Sequence, residues 1–289
     1  MITEAKIQKA IDLLRRAERL ALKYSDEGYY LAFSGGKDSQ CIYHLAKMAG
    51  VKFKAHYNVT TLDPPELMRF IKKQYPEVEW HRPEKTFAQI CVEKKILPTR
   101  QIRFCCATLK ETGGAGMVVI TGVRKAESVR RSKRNSVEII SKKNSRFSGT
   151  IDEFNRAYHT DDEGLQQQCI NGKDKLVVNP IIEWTDSDVW SFIKNRLKIP
   201  YCELYDQGFH RIGCILCPMS KKRERQRELE RYSNVRNLFL NIIRKIKAKR
   251  TQEINRKYLI LKYPDETVLD WYISGLGARK YIKKNWENS

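Results

Sequence analysis

A glycine-rich turn at residues 34–39 constrains this sequence more than any other feature. It reads Ser-Gly-Gly-Lys-Asp-Ser and follows an apolar stretch at 29–33 that is typical of a short buried strand. Apolar residues then recur at helical spacing as far as Gly50, where a helix would end. The turn thus joins a strand to a helix N-terminus, whose free N–H groups and partial positive charge favour a bound phosphate. An ordinary glycine turn with a serine cap is the plain alternative.

The residues of this turn suit a phosphate loop of one particular type. Gly35 and Gly36 let the backbone approach an anion closely, Lys37 adds a cation, and Ser39 adds a hydroxyl at the helix start. The spacing excludes both the Walker A motif and the Rossmann G-x-G-x-x-G fingerprint. The turn instead resembles the pyrophosphate-binding loop of the ATP-pyrophosphatase superfamily, whose members cleave ATP between the α and β phosphates or bind a related adenine nucleotide. The resemblance implies nucleotide contacts from Ser34, Gly35, Gly36, Lys37, Asp38 and Ser39.

Strands and helices alternate after the loop. Residues 51–59 and 78–81 are predicted strands, and residues 66–74 between them are a predicted helix. This order indicates a parallel sheet with right-handed crossovers, so we expect a Rossmann-like α/β fold. Ligands in such sheets lie beyond the carboxyl ends of the strands, so Asp63 is expected beside the phosphate loop. The alternative is that Asp63 is a turn residue before two prolines.

The charge balance indicates a polyanionic partner. The chain has 289 residues, with 55 Lys and Arg against 34 Asp and Glu, a net charge of +21 and a pI near 9.6. Nucleic acid is the polyanion that such an excess most plainly fits. No apolar run approaches the length of a membrane span, and Met1 to Lys23 is predicted as an amphipathic helix and not a signal peptide. We therefore expect a cytoplasmic protein without membrane contact.

Eight cysteines in a reducing compartment suggest metal or redox chemistry. Cys105 and Cys106 are adjacent and flanked by cations, and Cys214 and Cys217 form a C-x-x-C followed by proline. Two close pairs of thiols suit either a zinc ion or a [4Fe–4S] cluster, although directly adjacent cysteines are unusual as zinc ligands. The third interpretation is that these cysteines are merely buried thiols. The pattern resembles that of the iron–sulfur adenylylsulfate reductases. The other four cysteines are expected to be small apolar residues in or near the core: Cys41, Cys91, Cys169 and Cys202.

A further strand, predicted at 117–121, leads into a second polar loop. Gly122 frees the backbone there, and the guanidinium groups of Arg124 and Arg130 can bind phosphate or sulfate oxygens, unless this is a solvated turn. Residues 132–175 are polar and weakly periodic, and we expect a partly flexible insertion over the active-site mouth. A strand from Leu176 and a helix capped by Thr185 or Asp186 are expected next.

Several motifs in order resemble the phosphoadenosine phosphosulfate (PAPS) reductase family of the same superfamily. They include Cys105-Cys106, Gly122-x-Arg124-x-x-Glu127-Ser128-x-x-Arg131, Asn179-Pro180, Pro200-Tyr201 and Leu204-Tyr205. The resemblance covers about residues 29–218 and implies the adenine nucleotide α-hydrolase fold. It also implies that Gly122, Arg124 and Arg131 bind an anionic group. Reductases of that family carry a nucleophilic cysteine in a C-terminal tail, whereas no cysteine follows Cys217 here.

The C-terminal region, 219–289, is basic and has the apolar periodicity of helices. Lys221, Lys222, Arg223, Arg225 and Arg227 begin it, and the stretch from Arg244 to Arg250 is equally basic. A solvated charged face is the ordinary explanation, but the positive bias with nearby aromatic residues favours nucleic-acid binding.

The predicted organisation is an N-terminal helix at 1–28, a nucleotide-binding domain at 29–218 and basic helices at 219–289. The preferred function is an adenylating ATP pyrophosphatase, with Mg²⁺ and a [4Fe–4S] cluster, that acts in sulfur transfer to nucleic acid. It resembles the enzymes of DNA phosphorothioation and tRNA thiolation, and a cysteine desulfurase is a possible sulfur donor. Lys37, Asp38 and Asp63 are the candidate catalytic or magnesium-positioning residues. The alternatives are a sulfonucleotide (APS or PAPS) reductase and a non-catalytic, metal-stabilised nucleic-acid-binding module.

Overall fold

The computed structural model describes residues 1–141, 145–158, 174–250 and 262–286. The strands of this part of the chain are β1 Tyr29–Ala32, β2 Phe53–Asn58, β3 Glu79–His81, β4 Val118–Ile120, β5 Val137–Ile140, β6 Ser145–Gly149 and β7 Lys175–Val178. The α-helices are α1 Glu4–Tyr24, α2 Lys37–Ala49, α3 Pro65–Gln74, α4 Phe87–Lys94, α5 Phe104–Leu109, α6 Ile151–Tyr158, α7 Asp186–Ser191, α8 Lys222–Arg231, α9 Ser233–Arg250, α10 Asp265–Ser274 and α11 Ala278–Trp286.

The chain divides into two compact units, which we name by their main elements. The sheet unit comprises Met1–Asn58, Pro65–His81 and Gly113–Ile212. The helical unit comprises Val59–Pro64, Arg82–Thr112 and Gly213–Ser289. The segments with the two cysteine pairs therefore belong with the C-terminal helices, whereas the sequence analysis had grouped them with the nucleotide-binding domain.

The sheet unit contains a mixed sheet of seven described strands in the order β3-β2-β1-β4-β7-β5-β6. The first five strands in this order run parallel, as predicted. The antiparallel hairpin of β5 and β6 pairs with the parallel part through β7 and extends the sheet. The Rossmann-like α/β fold class is confirmed, with the addition of these two antiparallel strands.

Buried apolar residues explain the elements around the phosphate loop. The N-terminal amphipathic helix is confirmed as α1, and it buries Ile7, Ile11, Leu14 and Leu20. β1 is apolar and almost fully buried, as its position in the middle of a parallel sheet requires. α2 ends at Gly50, whose φ of 70° is the left-handed conformation that glycine adopts readily.

The polar stretch at 132–175 contains more regular structure than its sequence suggested. Its described part includes β5, β6 and α6, and Phe154 of α6 is fully buried. Val137 and Ile139 are the apolar positions of β5 that lie in the core. Residues 159–173, including Cys169, lie outside the described part of the chain.

The helical unit has its own apolar core. Phe239, Ile243 and Ile246 of α9 pack with Leu269 and Tyr272 of α10 in this core. Cys91 of α4 is also fully buried there, and Cys41 and Cys202 are fully buried in the sheet unit. The interpretation of these three cysteines as apolar core residues is confirmed. Across the described ranges, no helix is both long enough and apolar enough to pass through a membrane.

Candidate functional site

The phosphate loop forms an uncapped helix N-terminus in the sheet unit. Gly36 is the N-cap residue of α2, and no side chain makes a capping hydrogen bond there. The first N–H groups of an α-helix have no partner within the helix, so they are available to an anion. The backbone N–H of Lys37 is occupied, because it donates to the hydroxyl of Tyr205 at 2.9 Å. Ser39 is buried, and its hydroxyl donates to the carbonyl of Gly36 at 2.9 Å.

Gly35 gives the loop its shape. Its φ is 70°, and a Cβ built on it would lie 2.7 Å from side-chain atoms of Leu67 and Ile71 in α3. Any other residue would be strained in conformation and would also collide with this packing. The predicted strand–loop–helix arrangement is therefore present, with α3 packed directly against the loop.

Arg124 connects two carboxylates beside the loop. Its side chain is 2% exposed; Nε donates to Oδ1 of Asp38 at 2.7 Å, and Nη2 donates to Oδ1 of Asp186 at 2.6 Å. Nη1 donates to the carbonyl of Trp184 at 3.3 Å. The Nζ of Lys37 lies 3.5 Å from Asp38 and 3.6 Å from Asp186. The loop thus presents two cations and two carboxylates in one cluster.

The charges of this cluster stabilise one another. Burial alone would raise the pKa of Asp186, but Lys37 and Arg124 lower that pKa overall. Burial alone would lower the pKa of Arg124, but Asp38 and Asp186 raise it. Both carboxylates and the guanidinium therefore form a charged, hydrogen-bonded network, which positions Asp38 at the start of α2.

The other predicted residues of this site lie on the loop after β4. A Cβ on Gly122 would lie 3.0 Å from the backbone of Asp38, so glycine permits the close approach of that loop to α2. Arg131 is half-buried and forms an ion pair with Glu127, whose carboxylate also accepts from the backbone N–H of Arg124. Arg124 and Arg131 thus both have carboxylate partners in the structure.

Two residues of this site were not predicted from the sequence. Asp186 was considered only as a helix cap, but Thr185 caps α7 by accepting from the N–H of Asp188, and Asp186 turns to Arg124 instead. Tyr205 was noted only as part of a family motif, yet its hydroxyl contacts the loop. The position of Asp186 just beyond β7, at the carboxyl edge of the sheet, was the signal that could have identified it.

The four predicted metal-ligating cysteines come together in the helical unit. Cys105, Cys106, Cys214 and Cys217 line one cavity of about 30 Å³, and all four are half-buried thiols that form no disulfide. Cys105 and Cys106 lie in the short helix α5. The hydroxyl of Thr60 lies 3.3 Å from Sγ of Cys214.

The turn of the C-x-x-C is held by two helices. Leu216, within this turn, has a φ of 55°, which is unusual for a residue other than glycine. Its N–H donates to Glu228 of α8 at 2.7 Å, and its carbonyl accepts from the hydroxyl of Tyr272 of α10 at 2.9 Å. Burial raises the pKa of Glu228 to about 7, although the N–H of Leu216 opposes this shift.

Cations surround the four thiols. A hydrogen bond from Cys105 lowers the pKa of Cys106, and Arg103 adds to this effect, whereas the same contact and burial raise the pKa of Cys105. Desolvation opposes the charged form of Lys110, but Cys214 and Asp63 raise the pKa of Lys110 overall. The environment of Cys106 thus favours its thiolate, the form in which cysteine binds metals.

Asp63 belongs to the helical unit. Its carboxylate accepts from the backbone N–H of Thr60 at 2.6 Å, which is the turn-residue geometry offered as an alternative in the sequence analysis. It also lies near enough to Lys110 to influence the pKa of that side chain.

The basic segments of the helical unit are less uniform than their sequence suggested. Lys221, Lys222 and Arg223 are exposed, but Arg225 and Arg250 are buried at 1% and 6% exposure. The prediction that Arg225 and Arg250 belong to an exposed basic surface is therefore wrong. Arg244 and Lys247 both bind the carboxylate of Asp265, which neutralises part of the second basic stretch.

Comparison with known proteins gives relatives of several kinds. An uncharacterised protein of Methanocaldococcus jannaschii is 26% identical over 262 residues, which is 84% of this chain and 56% of that protein. Adenosine 5'-phosphosulfate reductase of Oceanobacillus iheyensis is 29% identical over 160 residues, covering 53% of this chain and 54% of the reductase. The Caenorhabditis elegans protein named "Probable FAD synthase" is 28% identical over 209 residues, covering 72% of this chain and 33% of that protein.

These matches span from about one third to just over half of the relatives' own lengths. The family model of the phosphoadenosine phosphosulfate reductase domain matches residues 28–220, which contain the phosphate loop, the loop after β4 and both cysteine pairs. The chain therefore belongs to the phosphoadenosine phosphosulfate reductase family.

Proposed function

We propose that this chain is an enzyme that binds ATP at residues 34–39 and transfers the adenylyl group to a substrate. The oxygen of the substrate attacks the α phosphorus, the bond to the bridging oxygen breaks, and pyrophosphate leaves with that electron pair. The observation that carries the proposal is the uncapped N-terminus of α2 behind Gly35 and Gly36, with the ammonium group of Lys37 beside it. The relatedness to a FAD synthase homologue also supports adenylyl chemistry.

In this mechanism the loop stabilises the leaving group. The N–H groups at the start of α2 and the ammonium group of Lys37 neutralise the negative charge that develops on pyrophosphate. Ser34, which is exposed, and Gly36 line the path to those N–H groups. We infer that Arg124 acts as a positioning residue, since its guanidinium group binds both Asp38 and Asp186.

Mg²⁺ is the expected partner of the ATP phosphates. Carboxylates and phosphate oxygens are the ligands that this ion prefers. Asp38 is the candidate from the sheet unit, because its carboxylate lies in the first turn of α2, directly after the glycines of the loop. Asp63 remains the second candidate on the basis of the sequence alone.

We propose that the four cysteines hold a [4Fe–4S] cluster, with zinc as the alternative. The donor set fits, since four thiols line one cavity and the neighbouring Arg103 and Lys110 favour the anionic form of Cys106. A bound cluster would supply electron transfer or a sulfur-binding iron. Thiols of this kind persist in a reducing compartment such as the cytoplasm, where we place the protein.

We propose a nucleic acid as the molecule that is adenylated and then sulfurated, as in DNA phosphorothioation or tRNA thiolation. The net charge of +21 and the exposed cluster of Lys221, Lys222 and Arg223 support this substrate class. A cysteine desulfurase or a similar protein would supply the sulfur.

A pyrophosphate-release assay tests the proposed reaction. The protein, purified without oxygen, is incubated with labelled ATP and Mg²⁺, with and without tRNA or duplex DNA, and pyrophosphate is measured. Release that depends on nucleic acid is the expected result. No release of pyrophosphate, combined with ATP binding, would exclude adenylation with these substrates.

A sulfonucleotide reductase is the second candidate, and the identity to the Oceanobacillus reductase favours it. It would release sulfite from adenylylated sulfate with a thiol reductant, and would form no pyrophosphate. Since no cysteine follows Cys217 in this chain, the nucleophilic thiol would have to come from another residue or a partner protein. Binding to nucleic acid with neither product would favour the third possibility, a non-catalytic module.

A further inference from the structure

Arg225 of α8 is buried in the helical unit although its neighbours in sequence are exposed cations. It is 1% exposed, whereas Arg223 and Arg227 lie at the surface. A buried guanidinium group usually has a carboxylate partner, because an unpaired buried charge is strongly unfavourable. The nearest acid on the inner side of the helix, Glu228, instead accepts a hydrogen bond from the N–H of Leu216.

One edge of the Arg225 guanidinium group has no hydrogen-bond partner. Nη1 donates to the carbonyl of Tyr272 at 3.2 Å. Nε and Nη2 are buried, and neither has an acceptor in the described part of the chain. These two nitrogens form the edge of the guanidinium plane that binds two oxygens of one carboxylate or phosphate in parallel.

The Arg225 side chain borders a small cavity. Arg225, Arg100, Thr99, Trp271 and Gly275 are among the residues that line a volume of about 30 Å³. A single water needs roughly 10–15 Å³, so the volume suffices for two waters or for two oxygens of one anion. A Cβ on Gly275 would lie 2.1 Å from Nη2 of Arg225, so glycine is required to make room for the guanidinium group.

A second cation lines the same cavity. Arg100 is exposed, and its Nε and Nη2 donate to the carbonyls of Pro218 and Ser220 at 3.1 and 3.2 Å. These hydrogen bonds fix the guanidinium group without neutralising it. Burial lowers the pKa of Arg225 and Arg100 lowers it further, although Tyr272, Cys217 and Glu228 act in the opposite direction. Positive charge thus accumulates at the cavity.

We propose that Arg225 and Arg100 form a binding site for a phosphate group, distinct from the phosphate loop of the sheet unit. The phosphate is either the free ion or a phosphate of a nucleic-acid backbone, and both offer the same oxygens to the open edge of Arg225. The site does not depend on ATP, on adenylation or on a metal at the cysteines. This proposal can therefore be wrong while the proposed function is right, and the reverse is also true.

Fluorine NMR at Trp271 provides a local test. The chain has five tryptophans, so full-length protein labelled with 5-fluorotryptophan gives few resonances, and Trp271→Phe assigns the one of interest. Inorganic phosphate is titrated against matched sodium chloride. We expect a saturable shift of the Trp271 resonance in the parent protein and in Lys37→Ala, which removes the cation of the phosphate loop.

Substitutions of the arginines then distinguish this site from diffuse charge. Arg225→Gln should abolish the shift, and Arg100→Ala should weaken phosphate binding about tenfold, the effect of losing a charged contact. Arg223→Gln, which removes an exposed charge from the same helix, should leave the titration unchanged. If Arg225→Gln fails to fold, the exposed Arg100 still provides the comparison with Arg223.

Three results would overturn the proposal: no shift in the parent protein, an equal shift with sodium chloride, or a shift that survives both Arg225→Gln and Arg100→Ala. A short oligonucleotide identifies the source of the phosphate. If it produces the same shift and competes with inorganic phosphate, the site binds a backbone phosphate. If inorganic phosphate alone produces the shift, the site binds the free ion.

Discussion

Arg124 and Asp38 form a hydrogen-bonded ion pair of 2.7 Å, and the same guanidinium group holds Asp186 at 2.6 Å. An arginine that sequence comparison would assign to the nucleotide thus contacts the protein, and it fixes the first turn of α2. Such a residue affects a reaction through the geometry of its partners.

Arg124→Lys should therefore impair turnover more than ATP binding. Lysine keeps the charge but cannot bind Asp38 and Asp186 together as the guanidinium group does, so Asp38 is no longer held in place. We expect kcat for pyrophosphate release to fall about tenfold to a hundredfold, the equivalent of one charged hydrogen bond, with a smaller change in the Kd for ATP. Lys125→Gln is the control, since its ion pair with Glu183 is exposed and contributes less than about 1 kcal/mol. A parallel loss of kcat and ATP affinity would instead assign Arg124 to nucleotide binding.

Lys37→Ala should weaken ATP binding by about tenfold to a hundredfold and abolish pyrophosphate release, because the ammonium group at the helix N-terminus is lost. Isothermal titration with ATP measures the first effect. Lys47→Ala, at the other end of α2 and half-exposed, removes the same charge and should leave the affinity unchanged. If Lys37→Ala bound ATP like the parent, residues 34–39 would not be the nucleotide site.

Anaerobically purified protein should be brown and contain about four irons per chain, as four thiolates in one site imply. Replacement of Cys106 or Cys217 by serine should remove the iron. Cys91→Ala should retain it, since Cys91 is fully buried in the core of the helical unit. Iron and zinc are counted by elemental analysis; one zinc per chain in iron-replete material would establish the zinc alternative.

Charge reversal of Lys221, Lys222 and Arg223 to glutamate should weaken binding to nucleic acid. If these exposed residues contact phosphates, the log–log slope against salt should flatten by about 0.9 per duplex phosphate contact that is lost. The matched control reverses Lys9, Lys23 and Lys73, which are exposed cations of the sheet unit. Equal losses in the two triple variants, measured by anisotropy over a salt series, would mean that binding follows net charge alone.

His56 should make the free energy of unfolding depend on pH. Its Nδ1 lies 2.8 Å from Nε2 of His81, and its ring stacks on Tyr30. Burial, and to a smaller extent the neighbouring His81, lowers the pKa of His56 from 6.5 to about 4. The unfolded chain therefore binds a proton first as pH falls, so stability is full above pH 6.5 and is lost toward pH 4.

Urea unfolding at about pH 7 and about pH 5 measures this effect, which should reach roughly 2 kcal/mol for His56. His44, whose pKa burial also lowers to about 4, adds a loss of the same sign. His56→Gln should shrink the difference between the two pH values, and the exposed His210→Gln should not. An unchanged difference in His56→Gln would contradict the assignment.

The local pattern around residues 29–50 was sufficient to predict β1, the loop and α2, because one strand, two glycines and a helical apolar face agree there. The shared site of the two cysteine pairs was predicted from the close spacing within each pair and from the resemblance of the pattern to that of the iron–sulfur adenylylsulfate reductases. The hairpin of β5 and β6 was not predicted, because its strands are short and include polar residues. Glu138 of β5 is buried, and it accepts hydrogen bonds from Arg134 and Asn179.

Long-range contacts determine the side-chain positions that were not predicted from the sequence. Arg225 looks like its neighbours in a run of lysines and arginines, and only the packing of α8 against Tyr272 and Gly275 reveals that it points inward. Asp186 has a sound local explanation as a cap, which hid its contact with a residue 62 positions away. In both cases the deciding partner lies on another element.

The unusual backbone of Leu216 has a consequence for how the cysteines meet a ligand. The backbone N–H and the carbonyl of Leu216 are both hydrogen-bonded, to Glu228 and to Tyr272 respectively. The loop between Cys214 and Cys217 therefore loses its conformational freedom during folding, before any ligand binds. Capture of an ion or a cluster by these two thiols then carries little entropic penalty from the backbone. Helices α8 and α10 thereby contribute to affinity at the cysteines without supplying a single ligand atom.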